Sequence, residues 1–403
     1  MRRIVSLVVA LVVLALPARA QVTLGIDRLL GDAVDLVEGK RVGLITNPAG
    51  VDAKLVPTVD RLAADKRVKL VCLFGPEHGI RGDAAAGDAV ADAVDPRTGV
   101  PVESLYGKSR RPSAAALSDL DVLVIDLQDV GSRTYTYIST VGEALRAAAE
   151  AKKPVIVLDR PNPLGGVRFE GPVIESEFES FIGWGPLAVT HGLTIGEVAR
   201  FWRDVERIDV DLTVVAMKGW KRSMLWADTG LTWVPTSPHI PRALQAHLYV
   251  CTGMLGGVLQ NVSDGVGSTF PFELVGATFV DGERFAAELS KRRLPGLRVR
   301  AHAWKPFYGK FEGEQLHGVQ LVLDDPRALE PLHTALELLT TLHALYGDEL
   351  RFEDAKTVAK HWGNARLLQQ IEAGKSTAEI EASWREELAG FAKLREGVLI
   401  YRD

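Results

Sequence analysis

Short apolar runs alternate with amphipathic segments through the first part of the chain, between residues 41 and 158. The apolar runs are rich in β-branched residues and have the length of strands buried on both faces. Strands are therefore predicted over residues 41–46, 68–74, 121–127 and 154–158. Helices are predicted over residues 26–37, 57–65, 113–117 and 137–151. Strands that alternate with helices are typical of βαβ units, so we predict an α/β fold with a doubly wound, Rossmann-like parallel sheet.

The pattern changes after residue 181. A capping box, Thr194 with Glu197, predicts a helix that runs to about residue 202, and a strand is expected over residues 212–217. The following loop is long and holds three tryptophans and three prolines: Trp220, Trp226, Trp233, Pro235, Pro238 and Pro241. Long ordered loops usually carry function, so we expect this loop, residues 218–241, to border a site.

The last third of the chain is predicted to be a smaller α+β domain. Strands are expected over residues 297–301 and 318–323, and helices over residues 327–346 and 376–395. The last helix has its own capping box, Ser376 with Glu379. We therefore predict a Rossmann-like catalytic domain over residues 21–250 and an auxiliary domain over residues 251–403, with a cleft between them.

The N-terminus has the three parts of a secretory signal peptide. Basic residues Arg2 and Arg3 precede an apolar run over residues 4–17, and a small-residue A-x-A site ends at Ala20. The run is shorter than the roughly 20 residues that a spanning helix needs, which disfavours a retained membrane anchor. We expect cleavage after Ala20 and a periplasmic or secreted protein that no longer contacts the membrane.

Composition narrows the possible partners. The chain has 403 residues, of which 47% are hydrophobic and 25% charged, and it is long enough for two soluble globular domains. The net charge of -5 gives no basic footprint, so nucleic acid is not an expected partner. Cys72 lies in a predicted central strand and is expected to act as a small buried hydrophobe, although the sequence leaves a disulfide with Cys251 open.

Polar segments follow all four predicted strands of the large sheet, at residues 47–50, 75–83, 128–133 and 159–163. The carboxyl ends of parallel strands lie at one edge of a sheet, where ligands bind, so we predict a site there. The second segment is the richest in chemistry, with Glu77, His78, Arg81 and Asp83 among glycines that let the backbone turn sharply. A solvated loop whose charges pair with one another is the alternative.

The motifs argue against a cofactor. No G-x-G-x-x-G follows the first strand and no P-loop sequence occurs, so no nucleotide cofactor is expected. Loop histidines His78, His191 and His239 have acids nearby, but the chain lacks H-E-x-x-H and Cys/His spacings, so a metal site is only the runner-up. Ser132 and Ser139 lack a nucleophile elbow.

A carboxylic acid beside a histidine and an arginine at a cleft edge suits general acid–base catalysis, which makes Glu77 the first choice. Aromatic side chains on the same edge suit the flat faces of sugar rings. They are Tyr106, Tyr135, Tyr137 and Trp184, and core packing is the alternative for each tyrosine taken alone. The residues therefore favour general acid–base chemistry on a sugar-like ligand.

Six segments resemble the exo-β-N-acetylmuramidases of glycoside hydrolase family 171: GPEHGIRGD (75–83), DPRTGVPVESLYGKSRRP (95–112), DLQDVGSRTYTYIST (126–140), VLDRPNPLGG (157–166), MKGWKRSM (217–224) and WVPTSPHIPR (233–242). The resemblance covers essentially the whole mature chain. It implies a Rossmann-like domain with a smaller auxiliary domain, and removal of N-acetylmuramic acid from the non-reducing ends of peptidoglycan fragments. By this resemblance Glu77 is the catalytic acid. The residues that would line the pocket are His78, Arg81, Asp129, Arg133, Tyr137, Asn162 and His191.

The chain departs from the family in one region. The family has E-G-T-N followed by S-E-G-R-G-T-T-R-P-F-E, whereas this chain has V-L-Q-N over residues 258–261 and then S-D-G-V-G-S-T-F-P-F-E over residues 263–273. A glutamate and two arginines are replaced. Arginine is the natural partner of a carboxylate such as the lactyl group of muramic acid, so Arg81 or Arg133 is our hypothesis for that role.

Several further residues complete the predicted site. Substrate binding is expected to involve Asn47, Tyr106, Asn261, Asp264 and Glu273 as well. Asp129, Asp264 or Glu273 is the candidate second carboxylate, and attack by the substrate's own acetamido group is the alternative. A non-catalytic periplasmic protein that binds wall sugars is the alternative function.

Overall fold

The structure, a computed structural model, describes residues 21–82, 93–107 and 109–403. The predicted signal peptide with its cleavage site after Ala20, and the candidate Asp83, lie outside these residues. Within the described ranges, no helix is long and apolar enough to cross a membrane.

Within the ranges that the structure describes, seven strands form the large sheet: β1 Arg41–Thr46, β2 Lys69–Gly75, β3 Ala93–Val94, β4 Pro101–Ser104, β5 Val122–Asp126, β6 Val155–Leu158 and β7 Leu212–Val215. Their order is β3-β4-β2-β1-β5-β6-β7, and every pair is parallel except β3 with β4. The chain winds outward from β1 through β2 and β4, and then returns to the other side of β1 for β5, β6 and β7. The predicted doubly wound Rossmann-like sheet is confirmed, with its switch point between β1 and β5.

The described residues of this part of the chain form five helices: α1 Gly25–Leu29, α2 Thr58–Ala64, α3 Ala114–Ser118, α4 Tyr137–Glu150 and α5 Ile195–Val205. The capping box of Thr194 and Glu197 is present as predicted. The single helix predicted over residues 26–37 is wrong. It ends at Leu29, and a separate 3-10 turn covers Val34–Leu36, because Gly31 and Asp32 are weak helix formers.

The second domain has a three-stranded antiparallel sheet in the order β8-β10-β9, formed by β8 Leu274–Ala277, β9 Leu297–Trp304 and β10 Leu316–Leu323. Its helices are α6 Ala243–Leu248, α7 Met254–Gly256, α8 Gly282–Leu289, α9 Pro331–Tyr346, α10 Ala355–Trp362, α11 Arg366–Glu372, α12 Thr377–Ala382 and α13 Arg385–Glu396. A π turn, Tyr249–Gly253, joins α6 to α7. The predicted α+β domain is therefore confirmed.

Two sequence predictions fail or stay open in this domain. The helix predicted over residues 376–395 is two helices, α12 and α13, because the chain bends where Ser383 bonds back to the Ile380 carbonyl and Trp384 enters the core. The predicted boundary after residue 250 falls within the helical stretch from α6 to α7 and stays a prediction.

The C-terminus returns to the first domain. The Tyr401 hydroxyl donates to the Asp159 carboxylate at the end of β6 (2.5 Å) and accepts from the Met217 N–H (2.8 Å). The Arg395 guanidinium donates to the Gly192 carbonyl (3.0 Å) and to the Gly166 carbonyl. The end of the chain therefore anchors the loops that follow β6.

Replacing Tyr401 with phenylalanine should lower the free energy of unfolding by about 1–3 kcal/mol, because the buried Asp159 carboxylate and the Met217 N–H each lose a partner. Urea unfolding of the Tyr401→Phe variant measures the loss. Leu394→Ala, at an exposed position of α13, is the control and should change stability by less than about 0.5 kcal/mol. Equal stability of the Tyr401 variant and the wild type would contradict the anchoring role.

Candidate active site

The loop after β2 presents the first two candidate residues, Glu77 and His78. The loop turns sharply, with a hydrogen bond from the Gly79 N–H to the Pro76 carbonyl (2.9 Å) and left-handed backbone at both His78 (φ 72°) and Gly79 (φ 71°). Left-handed backbone at a non-glycine residue is unfavourable and persists where the surroundings hold it. It places His78, which is buried, beside Glu77 in the wall of a cavity.

This cavity has a volume of about 190 Å³. The loops after β2 and β5, the loop over residues 218–241 and the second domain all contribute to its wall. Its lining residues are Glu77, His78, Thr134, Tyr135, Thr136, Tyr137, Ser237, His239, Ile240, Tyr249 and Phe272. Pockets for drug-sized ligands are typically about 300–1,000 Å³, so this smaller cavity suits one sugar-sized ring instead of an extended chain.

Hydroxyl groups hold the Glu77 carboxyl from two sides. The Thr136 Oγ1 donates to Glu77 Oε2 at 2.9 Å. Burial, together with the charge of Glu77 and a hydrogen bond to it, raises the pKa of Tyr106. The Tyr137 hydroxyl lies 3.4 Å from the Glu77 carbonyl oxygen. Glu77 is therefore fixed in position while its side chain stays partly exposed to the cavity.

An aromatic wall faces Glu77. Tyr135 meets Tyr137 edge to face with ring centres 5.0 Å apart, and Tyr249 meets Tyr135 at 5.6 Å and Phe272 at 5.0 Å. The Tyr137 hydroxyl donates to the Thr236 carbonyl (2.7 Å), so the polar end of this buried ring is satisfied. Such a wall offers apolar faces with polar edges, as a sugar ring requires.

Burial raises the pKa of both Tyr137 and Tyr249 above the usual value, and the charges of Glu77 and Asp129 raise it further. The charges of Glu77 and Asp129 therefore both influence the tyrosines of the aromatic wall. The two tyrosines remain neutral hydrogen-bonding groups at neutral pH.

Asp129 forms a buried pair with His191. The Gly131 N–H donates to Asp129 Oδ2 (2.7 Å), and His191 Nε2 lies 3.8 Å from the same oxygen. The Leu193 N–H donates to His191 Nδ1 (3.2 Å), so we assign the ring proton to Nε2, which faces Asp129. Asp129 Oδ1 has no hydrogen-bond partner among the described residues. The pair lies near the aromatic wall but does not line the cavity, and its predicted role stays a prediction.

Asn47 and Asn162 fasten loops together. The Asn47 amide donates to the Gln128 carbonyl (3.0 Å), which ties the loop after β1 to the loop after β5. The Asn162 amide donates to the Leu193 carbonyl (3.0 Å). A Cβ atom at Gly131 would lie 2.3 Å from Asn162 Oδ1, so glycine is required there. Neither asparagine lines the cavity within the part of the chain that the structure describes.

Arg81 does not lie where the sequence predicted. Its guanidinium donates to the carboxylate of Asp95 (2.9 and 3.0 Å) and to that of Asp60 (2.9 Å). These two carboxylates occupy the group, and Arg81 is absent from the cavity lining that the described residues form. The expectation that Arg81 lines the pocket and clamps a substrate carboxylate is therefore corrected, because acids distant in sequence neutralise it.

The prediction for Arg133 is corrected as well. Its side chain is 0% exposed, and it donates to main-chain carbonyls of both domains. The acceptors, at 2.8–3.2 Å, are the carbonyl oxygens of Pro172, Leu187, His361 and Trp362. Arg133 therefore joins the two domains through the C-terminal carbonyls of α10, and it cannot reach a ligand in the cavity.

The three candidates in the second domain lie in different places. Asn261 bonds to the Glu349 carbonyl (2.8 Å) and lies outside the cavity. The Glu273 carboxylate is occupied by Arg242 and by the Gln245 amide (2.6 Å). Burial raises the pKa of Asp264, and the charge of Asp264 contributes to the raised pKa of Tyr249, so this carboxyl lies close to the aromatic wall.

The cavity also contains residues that the sequence did not single out: Thr134, Thr136, Ser237, Ile240, Tyr249 and Phe272. A signal existed for two of them, since Ser237 and Ile240 belong to the long loop that was expected to border a site. Thr134 and Thr136 alternate with the two tyrosines of T-Y-T-Y. Tyr249 and Phe272 carry no local signal, because only the fold brings the second domain to this edge.

The structure also shows the state of the two cysteines and the arrangement of the residues that could bind a metal. Cys72 and Cys251 are both free thiols, so they do not form the bridge that the sequence left open. Within the described residues, no group of three or more His, Cys, Asp or Glu side chains is arranged to hold a metal ion.

Comparison with known proteins supports one assignment for both domains. The family model for the N-terminal part of the exo-β-N-acetylmuramidase NamZ matches residues 42–244. The model for the C-terminal part of the same enzyme matches residues 247–401. Together they extend over nearly the whole described chain.

Individual relatives agree. The chain is 45% identical over 383 residues to the peptidoglycan β-N-acetylmuramidase NamZ of Bacillus subtilis (strain 168), covering 95% of this chain and 92% of that protein. A crystal structure of a DUF1343 family protein from Bacteroides fragilis is 39% identical with a TM-score of 0.89. A second DUF1343 structure from that organism is 25% identical with a TM-score of 0.78. Each covers 95% of this chain and 100% of its own.

We predict that Arg133→Met lowers the free energy of unfolding by about 3–5 kcal/mol, because four buried or partly buried carbonyls lose their donor and each such loss costs about 1–3 kcal/mol before relaxation. Denaturant unfolding measures the effect. Arg385→Met, at an exposed position at the start of α13, is the matched control and should stay within about 0.5 kcal/mol of the wild type. A stable Arg133 variant would show that the two domains are held together by other contacts.

Proposed function

This chain belongs to the NamZ family of exo-β-N-acetylmuramidases and is a glycoside hydrolase, and we propose that it removes a terminal N-acetylmuramic acid from peptidoglycan fragments with Glu77 as the general acid. The observation that carries this proposal is the position of Glu77, which lines a cavity for one ring and is held by Thr136. The 45% identity to a peptidoglycan β-N-acetylmuramidase supports the choice of substrate.

The shape of the cavity supports exo action. Its walls come from two strand-end loops, the loop over residues 218–241 and the second domain, and its volume is about 190 Å³. A partly open cavity of this size fits one terminal ring of a glycan chain better than an internal segment. The leaving sugar then lies at the mouth, and one terminal residue is removed in each catalytic cycle.

Glu77 acts on the bond between the terminal ring and the leaving sugar. Its carboxylic acid donates a proton to the glycosidic oxygen as the bond from the anomeric carbon to that oxygen breaks. A water molecule then bonds to the anomeric carbon and gives up a proton, which restores the acid. The Thr136 hydrogen bond keeps the carboxyl in position for both proton transfers.

The carboxylates around the cavity bear on how the anomeric carbon is attacked. Among the described residues, Glu77 is the one carboxylic acid in the cavity lining, while Glu273 is paired with Arg242 and neither Asp129 nor Asp264 lines the cavity. This favours attack by the acetamido oxygen of the substrate over attack by a protein carboxylate. The acetamido oxygen bonds to the anomeric carbon as the bond to the glycosidic oxygen breaks, and it is released again when water bonds to that carbon. Asp129, close to the aromatic wall, would then stabilise the positive charge that develops near the ring.

We also propose that the protein is exported, because its first 20 residues have the basic, apolar and small-residue parts of a signal peptide. An exported enzyme would encounter peptidoglycan fragments at that location.

Incubation with defined muropeptide disaccharides, followed by mass analysis, tests the reaction. Free N-acetylmuramic acid should appear together with a shortened fragment. Calorimetric binding of the disaccharide with no product after long incubation would favour the alternative, a non-catalytic binder of wall sugars.

Glu77→Gln should lower turnover of a chromogenic N-acetylmuramide by roughly 10² or more, because the amide cannot donate the proton. Steady-state kinetics measure the loss. Glu177→Gln, at an exposed position on a 3-10 turn, is the matched control and should turn over like the wild type. Unchanged turnover of the Glu77 variant would remove this residue from the mechanism.

A further inference from the structure

The corrected positions of Arg81 and Arg133 leave the acidic group of the sugar without its expected partner. N-acetylmuramic acid carries a lactyl carboxylate, and a carboxylate that enters a partly buried cavity needs a cation or several donors. Both arginines are held by other groups. Among the described residues, the cavity lining contains neither lysine nor arginine, and its two basic side chains are His78 and His239.

His239 is presented by a rigid turn. The Ile240 N–H donates to the Ser237 carbonyl (3.1 Å), which closes a four-residue turn with Pro238 and His239 at its centre. Proline at the second position of a turn fixes the backbone in advance. The Trp233 indole N–H donates to the Ile240 carbonyl (2.9 Å) and secures the turn from outside the cavity. The backbone that carries His239 is therefore pre-organised.

The ring of His239 is fixed as well. It stacks on the Tyr308 ring of the second domain, with ring centres 5.9 Å apart and an interplanar angle of 17°. Neither ring nitrogen of His239 has a hydrogen-bond partner within the described part of the chain, although the side chain is half-buried. The stacked ring thus brings an unused donor or acceptor to the cavity wall.

We propose that His239 recognises the carboxylate of the terminal acidic sugar, taking up one proton from solvent as the sugar binds. This inference rests on the proposed function, because it names the residue that distinguishes N-acetylmuramic acid from a neutral amino sugar at the same site. A protonated imidazole donates one N–H to the carboxylate and neutralises its charge.

The surroundings of His239 keep its ring neutral until an anion arrives. Burial and the neighbouring His78 lower the pKa of His239. The groups that line the cavity with it are Glu77 and His78 from the loop after β2, Tyr135 and Tyr137 from the start of α4, and Tyr249 and Phe272 from the second domain. Tyr308, from the loop between β9 and β10, stacks on the ring of His239. An incoming carboxylate places an opposite charge beside the ring, and so it raises the pKa of His239 and draws a proton to it.

The affinity for the acidic sugar should decrease as pH rises. Binding of the acidic sugar takes up a proton, so its affinity falls as pH rises above the pKa of the free histidine, by up to about tenfold per pH unit for one linked proton. A neutral sugar does not favour the protonated ring and lacks this dependence.

Calorimetry with free N-acetylmuramic acid and with N-acetylglucosamine tests the proposal on the full protein, without requiring turnover. Titrations between pH 5.5 and 8, in buffers of different ionisation enthalpy, measure affinity and proton uptake together. Wild-type protein should take up a proton with the acidic sugar and none with the neutral one. His239→Gln should abolish the uptake and weaken binding of the acidic sugar at least tenfold, while binding of the neutral sugar stays within threefold.

Two further variants test whether the charge at position 239 is responsible for the preference. His239→Lys supplies a permanent cation, so it should retain the preference for the acidic sugar without proton uptake. His317→Gln, at an exposed position of β10, is the matched control and should behave like the wild type. Proton uptake that persists in His239→Gln, or that disappears only in His78→Gln, would overturn the proposal.

The experiments distinguish a failure of the proposed role of His239 from a failure of the proposed hydrolase activity. Binding of N-acetylmuramic acid with proton uptake at His239, in a protein that releases no sugar from any fragment, would support His239 and contradict the hydrolase. Normal hydrolysis of muramides with an unchanged sugar preference in His239→Gln would contradict His239 and support the hydrolase.

Discussion

The site depends on the buried ion pair between Asp126 and Arg160. This pair keeps the carboxyl ends of the parallel strands β1, β5 and β6 aligned with one another. Asp126 ends β5 and accepts from Arg160 Nε (2.5 Å) and from the Thr58 hydroxyl (2.5 Å), while the Thr46 hydroxyl at the end of β1 donates to the Asp126 carbonyl (3.0 Å). Asp126 is 0% exposed and Arg160 is 3% exposed, so removal of one partner would leave the charge of the other buried and unpaired. With β1 paired to both β2 and β5, the loops that carry Glu77 and Tyr137 must meet.

The second domain turns this open sheet edge into a cavity. Arg133 ties the loop after β5 to the end of α10, and Tyr249 and Phe272 complete the aromatic wall. Tyr308 supports the ring of His239 from the same side. The auxiliary domain therefore contributes side chains directly to the cavity wall.

The fold could be predicted from the sequence, and several residues of the candidate site could be proposed from it, because both leave local signals. The strands of the large sheet are continuous apolar runs, and Glu77, His78 and Tyr137 follow them directly. Arg81 and Arg133 could not be placed in this way, since the type of a charged residue does not reveal whether an acid or a set of carbonyls far along the chain will occupy it. Tyr249 and Phe272 were missed for the same reason, because only tertiary packing brings them to the cavity.

We propose that one acidic sugar ring enters the cavity with its glycosidic oxygen beside residue 77. Diffraction from crystals of the Glu77→Gln protein with a disaccharide that ends in N-acetylmuramic acid would show where that ring binds. We expect the terminal ring against the aromatic wall, with the glycosidic oxygen about 2.6–3.2 Å from the side chain of residue 77. A terminal ring bound elsewhere, or bound in the cavity with that oxygen turned away from residue 77, would contradict it.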